Sequence, residues 1–257
     1  MSRDELKALL EDKSSGASQI ALRAAKSLLS LEREEALRWS ELLCRAHPEM
    51  IPLRNLNLIL RSSGVDGLRK FIDALELGKR KIPEEVTLLF GKLKRNHLST
   101  LSWSSTVFEC VLTLERRNLL EDVLVGESLP GGEGRRTSAL LSKHGVIARV
   151  VPDALLPWLS VYEERAVLVG ADAIYSDGTI VNKAGTMPLA LVCRHHGLPV
   201  VVVSDTTKIW HDPMSEEERF RVFKGRTFDV TPPDAVSAIV TERGIFEPPF
   251  KFSSLWI

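Results

Sequence analysis

The feature that most constrains the fold is a change of pattern near residue 96. Before it, apolar residues recur at three- and four-residue spacing. After it, short β-branched runs alternate with helix-like segments. The first part carries the stripes Leu6, Leu9, Leu10; then Ile20, Leu22, Ala25, Leu28, Leu29; then Trp39, Leu42, Leu43, Ala46. Leu56, Leu58, Ile59, Leu60 and Leu68, Phe71, Ile72, Leu75 follow. Each stripe is one face of an amphipathic helix. The punctuation is Ser14-Ser15-Gly16, His47-Pro48, Ser62-Ser63-Gly64 and Ile82-Pro83. Proline followed by Glu84 and Glu85 predicts a helix start, since proline suits the first turn and acids suit the positive end of the dipole. Residues 1–95 therefore read as a bundle of four or five short helices.

The second part, residues 96–257, holds the strand-like runs Val123–Val125, Ala148–Val151, Ala166–Val169 and Val200–Val203. His97–Ser102 supplies a further strand before an amphipathic segment, Thr106–Arg117. Near-continuous apolar strands alternating with helices predict a parallel sheet covered on both faces, a doubly wound α/β domain.

A chain of 257 residues is long enough to bury a sizeable core. Its 34 basic and 34 acidic residues cancel, which argues against direct nucleic-acid binding over the whole surface. The neutrality is uneven: residues 1–100 hold 18 Lys+Arg and 14 Asp+Glu, and the remainder holds 16 and 20. Cys44, Cys110 and Cys193 are too scattered for a zinc site, so no metal is expected, and the latter two read as core thiols. The start of the chain lacks a signal-peptide pattern, and no apolar run is long enough to span a membrane. A cytoplasmic protein without membrane contact is the expectation.

In a doubly wound sheet, ligands bind beyond the carboxyl ends of the strands. The first β-branched run leads into Gly126-Glu127-Ser128-Leu129-Pro130-Gly131-Gly132-Glu133-Gly134-Arg135-Arg136-Thr137. The glycines suit a loop whose backbone N–H groups approach a phosphate, with arginine to supplement it, and they suit a plain surface turn equally. The last glycine of a dinucleotide fingerprint is missing, and no Walker motif occurs. The third run ends at Asp172, placed to accept a proton or fix a substrate hydroxyl. Next, Asp177-Gly178 marks a turn, and Asn182-Lys183-Ala184-Gly185-Thr186 enters a helix with Thr186 as its expected N-cap. Lysine, amide, glycine and helix N-terminus together make the better phosphate candidate. Lys208 follows the fourth run, as a ligand or as a solvated rim residue. His195-His196 before Gly197 reads as helix capping rather than metal binding.

Taken together, Val167–Ile174, Asp177–Thr186 and the following Leu-Ala-Leu through His195-His196-Gly197-Leu198-Pro199 resemble the family of translation initiation factor 2B alpha, beta and delta subunits. That family also contains methylthioribose-1-phosphate isomerase and ribose-1,5-bisphosphate isomerase. The resemblance covers roughly residues 97–250 and implies an N-terminal helical domain, then a Rossmann-like domain through which the protein forms a homodimer or larger homo-oligomer.

The resemblance also implies where activity would reside. The isomerases use a cysteine and the aspartate of the GAD segment as an acid/base pair; Asp172 matches the aspartate. Trp103 stands where the cysteine belongs, and an indole cannot exchange the proton that isomerisation requires. Leu129 stands where the isomerases carry an arginine that grips phosphate. These departures point to a non-catalytic, regulatory protein working through protein–protein contacts, with initiation factor 2 as a partner and no cofactor. A phosphorylated small molecule bound by Glu127, Arg136, Asn182, Lys183, Gly185, Thr186 and Lys208 is the expected ligand. The alternative is a sugar-phosphate isomerase working through Asp172 without the cysteine.

Overall fold

A computed structural model describes residues 2–12 and 15–252. Ser14, part of the first expected break, lies outside the described residues. Three helices open the chain: α1 (Ser2–Glu11), α2 (Ala17–Leu28) and α3 (Arg33–Ala46). They bury Leu6, Leu9, Ile20, Ala21, Leu28 and Leu43 against one another.

The fourth helix, α4 (Ile51–Leu93), departs from the expectation of short helices. It runs for 43 residues, bent at Gly64, where φ is 57° and ψ −140°. The Ser62-Ser63-Gly64 signal thus produces a kink. The helix start expected at Ile82-Pro83 is absent, because α4 passes straight through Pro83. Proline removes one helical hydrogen bond, but Ile82, Pro83, Val86 and Phe90 are buried against the sheet, and that packing outweighs the loss. Earlier positions of α4, from Leu53 to Leu75, belong to the helical core instead.

The rest alternates as expected: β1 (His97–Thr100), α5 (Ser105–Arg116), β2 (Asp122–Gly126), α6 (Glu133–Lys143), β3 (Ala148–Val151), α7 (Leu156–Tyr162) and β4 (Ala166–Val169). Then come β5 (Ala173–Ile174), β6 (Ile180–Lys183), α8 (Thr186–His195), β7 (Val200–Val203), α9 (Glu216–Gly225), β8 (Phe228–Thr231), β9 (Ala238–Thr241) and β10 (Gly244–Phe246). The main sheet has the order β10-β9-β7-β4-β1-β2-β3 and is parallel except for β10. Its strands alternate faces: Ala166 and Leu168 pack toward α4 and α5, while Val167 and Val169 pack toward α7 and α8. Both faces are therefore dry, which explains the uninterrupted apolar runs.

Two features lie outside the expected pattern. An antiparallel sheet of β5, β6 and β8 sits beside the main one, and β10 adds an antiparallel edge. Cys110 and Cys193 are buried on opposite faces of the main sheet. No helix among the described residues is long and apolar enough to cross a membrane.

Candidate functional site

The chain builds β1, β2 and β3 outward in one direction, then crosses back to place β4 on the other side of β1. The switch point therefore falls between the carboxyl ends of β1 and β4, where the diverging connections leave a crevice. A cavity of about 490 Å³ opens there. Its walls are the Ser102–Thr106 segment after β1, Gly131–Glu133 and Arg136 before and within α6, Gly170–Asp172 after β4, the end of β6, and Lys208. The helical part closes it with Ser15–Ser18 and with Ala46, His47, Glu49 and Met50.

Asp172, Asn182, Lys183, Lys208 and Arg136, read from four separate segments, all line this cavity. Asp172 is half-buried. Burial raises its carboxyl above the usual range; Lys208 pulls it down, Glu49 adds to the rise, and Lys183 opposes it. Lys208 is not a rim residue: it is 6% exposed, and its ammonium donates to the Ala171 carbonyl at 2.5 Å. The short helical turn Thr206–Lys208 that presents it is itself buried, held from above when Asn55 of α4 donates to the carbonyls of Thr207 at 2.8 Å and Ile209 at 2.9 Å.

Lys183 is buried and donates to Glu133 Oε1 at 2.9 Å. Asn182 does not face the cavity with a free amide: its Nδ2 donates to Thr186 Oγ1 at 2.9 Å, and that hydroxyl donates to the Lys183 carbonyl at 2.7 Å. Thr186 is therefore not the N-cap. Gly185, at φ 106°, occupies that position, and Thr186 is the first residue of α8. The free N–H groups expected to attract a ligand anion are taken by Asp229 on β8, whose Oδ2 accepts from Gly185 N at 2.7 Å and Met187 N at 3.0 Å. Gly185 and Thr186 thus shape β6 and α8 rather than line the cavity.

Glu127 also stays out of the cavity. It is ion-paired with Arg135, and its backbone N–H donates to Val151. The loop that follows is fixed by Asp153, which accepts from Ser128 N at 2.7 Å and Leu129 N at 2.8 Å. Ser128 in turn accepts from Ser102 N at 2.6 Å, tying the β2 loop to the β1 loop. Trp103 stands on that β1 loop, packed on Phe108 with ring centroids 5.5 Å apart. The Arg136 guanidinium carbon lies 5.6 Å from its ring centre, a cation–π arrangement.

Glu133, Asp153 and Asp229 were not legible as site residues. Each acts on a partner at least two dozen positions away, and no local spacing signals such a pairing.

The fold and the cavity define a helically capped α/β protein with a polar pocket at the switch point of a parallel sheet. The chain belongs to the initiation factor 2 subunit family, whose model matches residues 13–248. It is 31% identical to a translation initiation factor eIF-2B subunit 2-like protein of Pyrococcus horikoshii, covering 95% of each chain. It is 30% identical to the ribose 1,5-bisphosphate isomerase of Haloferax volcanii over 91% of this chain and 84% of that protein. Among solved structures, the P. horikoshii OT3 translation initiation factor eIF-2B superposes with a TM-score of 0.81 at 29% identity, covering 96% of this chain and 97% of that one. The 5-methylthioribose 1-phosphate isomerase of the same organism shares the fold at a TM-score of 0.72 and 21% identity, covering 99% and 86%.

Proposed function

We propose that the protein is a non-catalytic relative of the initiation factor 2B regulatory subunits, acting through protein–protein contacts and binding a phosphorylated metabolite at its sheet edge. The observation that carries this reading is the make-up of the cavity. Among the described residues no cysteine lines it, and Trp103 with Arg136 over its ring stands on the β1 loop instead. Cys110 is buried in the core, where burial pushes its thiol far up, and it has no route to the cavity. Moving a proton between two carbons of a sugar needs an acid and a base on the reacting face. Asp172 can supply one of them. In this reading the protein forms a homodimer in the cytoplasm and contacts initiation factor 2.

A second reading, aldose–ketose isomerisation through Asp172, is favoured by its raised carboxyl beside Lys183 and Lys208. Turnover of ribose 1,5-bisphosphate or methylthioribose-1-phosphate decides between them. Activity that disappears in Asp172→Asn overturns the regulatory reading. Its absence, together with retention of purified initiation factor 2 on the immobilised protein, supports it.

A further inference from the structure

Lys183 faces the cavity, yet it already has an anion. Its side chain is 5% exposed, and its ammonium lies 2.9 Å from Glu133 Oε1. Glu133 is the first residue of α6, and its side chain folds back over Gly131. A Cβ on Gly131 would stand 2.5 Å from Oε1 and 2.7 Å from Oε2, so glycine leaves the carboxylate this seat. Oε2 is shut off from water with no hydrogen-bond partner. A carboxylate oxygen sealed without a partner is costly, and the Lys183 charge holds it in place. Arg136, Lys183 and Lys208 are matched in number by Glu49, Glu133 and Asp172 around the same cavity.

Resting on the reading that a phosphorylated metabolite occupies this cavity, we propose that Glu133 is its selectivity residue. As the internal anion for Lys183, it restricts the ligand to a phosphate monoester of an uncharged group and rejects a bisphosphate. A single phosphate meets Arg136 and Lys208, whose ammonium donates to an uncharged carbonyl. A second phosphate directed at Lys183 has to break its ion pair with Glu133, whose side chain is 37% exposed, or sit beside that carboxylate. Both are unfavourable, the first because the buried Lys183 loses its partner and the second through like-charge repulsion. Discrimination of this kind works by a built-in repulsive element rather than by added contacts.

Calorimetric titration with ribose 5-phosphate and ribose 1,5-bisphosphate tests this on the wild type, Glu133→Gln and Glu133→Gln/Lys183→Met. Glu133→Gln should tighten the bisphosphate by roughly tenfold while shifting the monophosphate by less than roughly threefold. Adding Lys183→Met should abolish that gain. Equal tightening of both ligands, or none, overturns the role of Glu133 and leaves the phosphate site standing. Binding of neither probe by any form overturns both readings. Binding by Glu133→Gln alone upholds the role of Glu133 and overturns metabolite sensing by the wild type. If Glu133→Gln fails to fold, Glu133→Asp serves: the shorter carboxylate should weaken discrimination against the bisphosphate, and unchanged discrimination overturns the proposal.

Discussion

Asp229 caps the start of α8 across two antiparallel strands rather than along the chain: its Oδ2 accepts the N–H of the N-cap residue Gly185 at 2.7 Å. Its other oxygen, Oδ1, is buried without a partner. Burial raises the carboxyl from 3.8 to about 6, against the lowering effect of the Met187 and Gly185 N–H groups. The folded state then binds this proton more tightly than the unfolded chain. The group stabilises the fold below pH 3.8, and that contribution is lost as pH rises through about 6. Urea unfolding between pH 4.5 and 7.5 should show Asp229→Asn gaining on the wild type as pH rises, by at most roughly 3 kcal/mol. A difference that stays flat with pH contradicts the raised carboxyl. Asp229→Ala, which removes the cap outright, should cost about 1–2 kcal/mol at pH 5.

At the amino ends of β2 and β4 in the main sheet the sign reverses. Arg165, with its side chain 2% exposed, grips Asp122 with Nη1–Oδ1 at 2.9 Å and Nη2–Oδ2 at 2.7 Å, and donates to the Leu98 carbonyl at 3.0 Å. Burial pushes the Asp122 carboxyl up, but hydrogen bonds from Arg165 and His97 prevail and hold it at about 2. Its contribution is present above 3.8 and lost as pH falls through about 2. Arg165→Met should destabilise the protein by about 3–5 kcal/mol at pH 7, because Asp122 loses its buried partner. The gap to the wild type should narrow between pH 4 and 2 in urea melts; a constant gap would locate the cost in packing alone.

What the sequence made legible follows the range of each signal. The apolar runs of β2, β4 and β7 declare themselves because a strand buried on both faces needs no alternation, and Cys110 and Cys193 fall in the apolar helical patterns of α5 and α8. Pro83 misled because local propensity favours a helix start, whereas the sheet surface against Ile82 and Val86 favours continuity. β8 carries no local signal, because Phe228–Thr231 owes its strand to pairing with β6, more than forty residues earlier. In the cavity, the cationic residues were readable from their place after strands. The anion that answers Lys183 was not, since Glu133 meets it only once α6 and β6 are side by side.

Close approach of α6 to β2 gives a packing test. A Cβ at Gly134 would lie 1.7 Å from the Gly126 carbonyl oxygen, a backbone atom that cannot step aside. Gly134→Ala should therefore cost about 3 kcal/mol or more. Gly91 in α4 has nothing within 4 Å of the same virtual atom. Gly91→Ala should stabilise by about 0.5–1 kcal/mol through helix propensity. Paired thermal melts check both, and similar effects for the two would place α6 further from β2 than described.

Trp103 offers an optical report on the cavity. It is one of five tryptophans, and it lines the cavity with the Arg136 guanidinium 5.6 Å from its ring centre. Arg136 is exposed, which leaves it room to turn toward a phosphate, with which it forms stronger, charge-assisted hydrogen bonds than its contact with an indole face. Ligand binding should therefore draw Arg136 off the ring and change the indole emission. Titrating ribose 5-phosphate should give a saturable fluorescence change in the wild type that is absent in Trp103→Phe. Arg136→Gln should weaken the binding seen by calorimetry by roughly tenfold, as expected for loss of a bidentate charged contact. A signal that persists in Trp103→Phe would place the ligand beside another tryptophan, such as Trp210 with Arg54 over its ring at 4.0 Å.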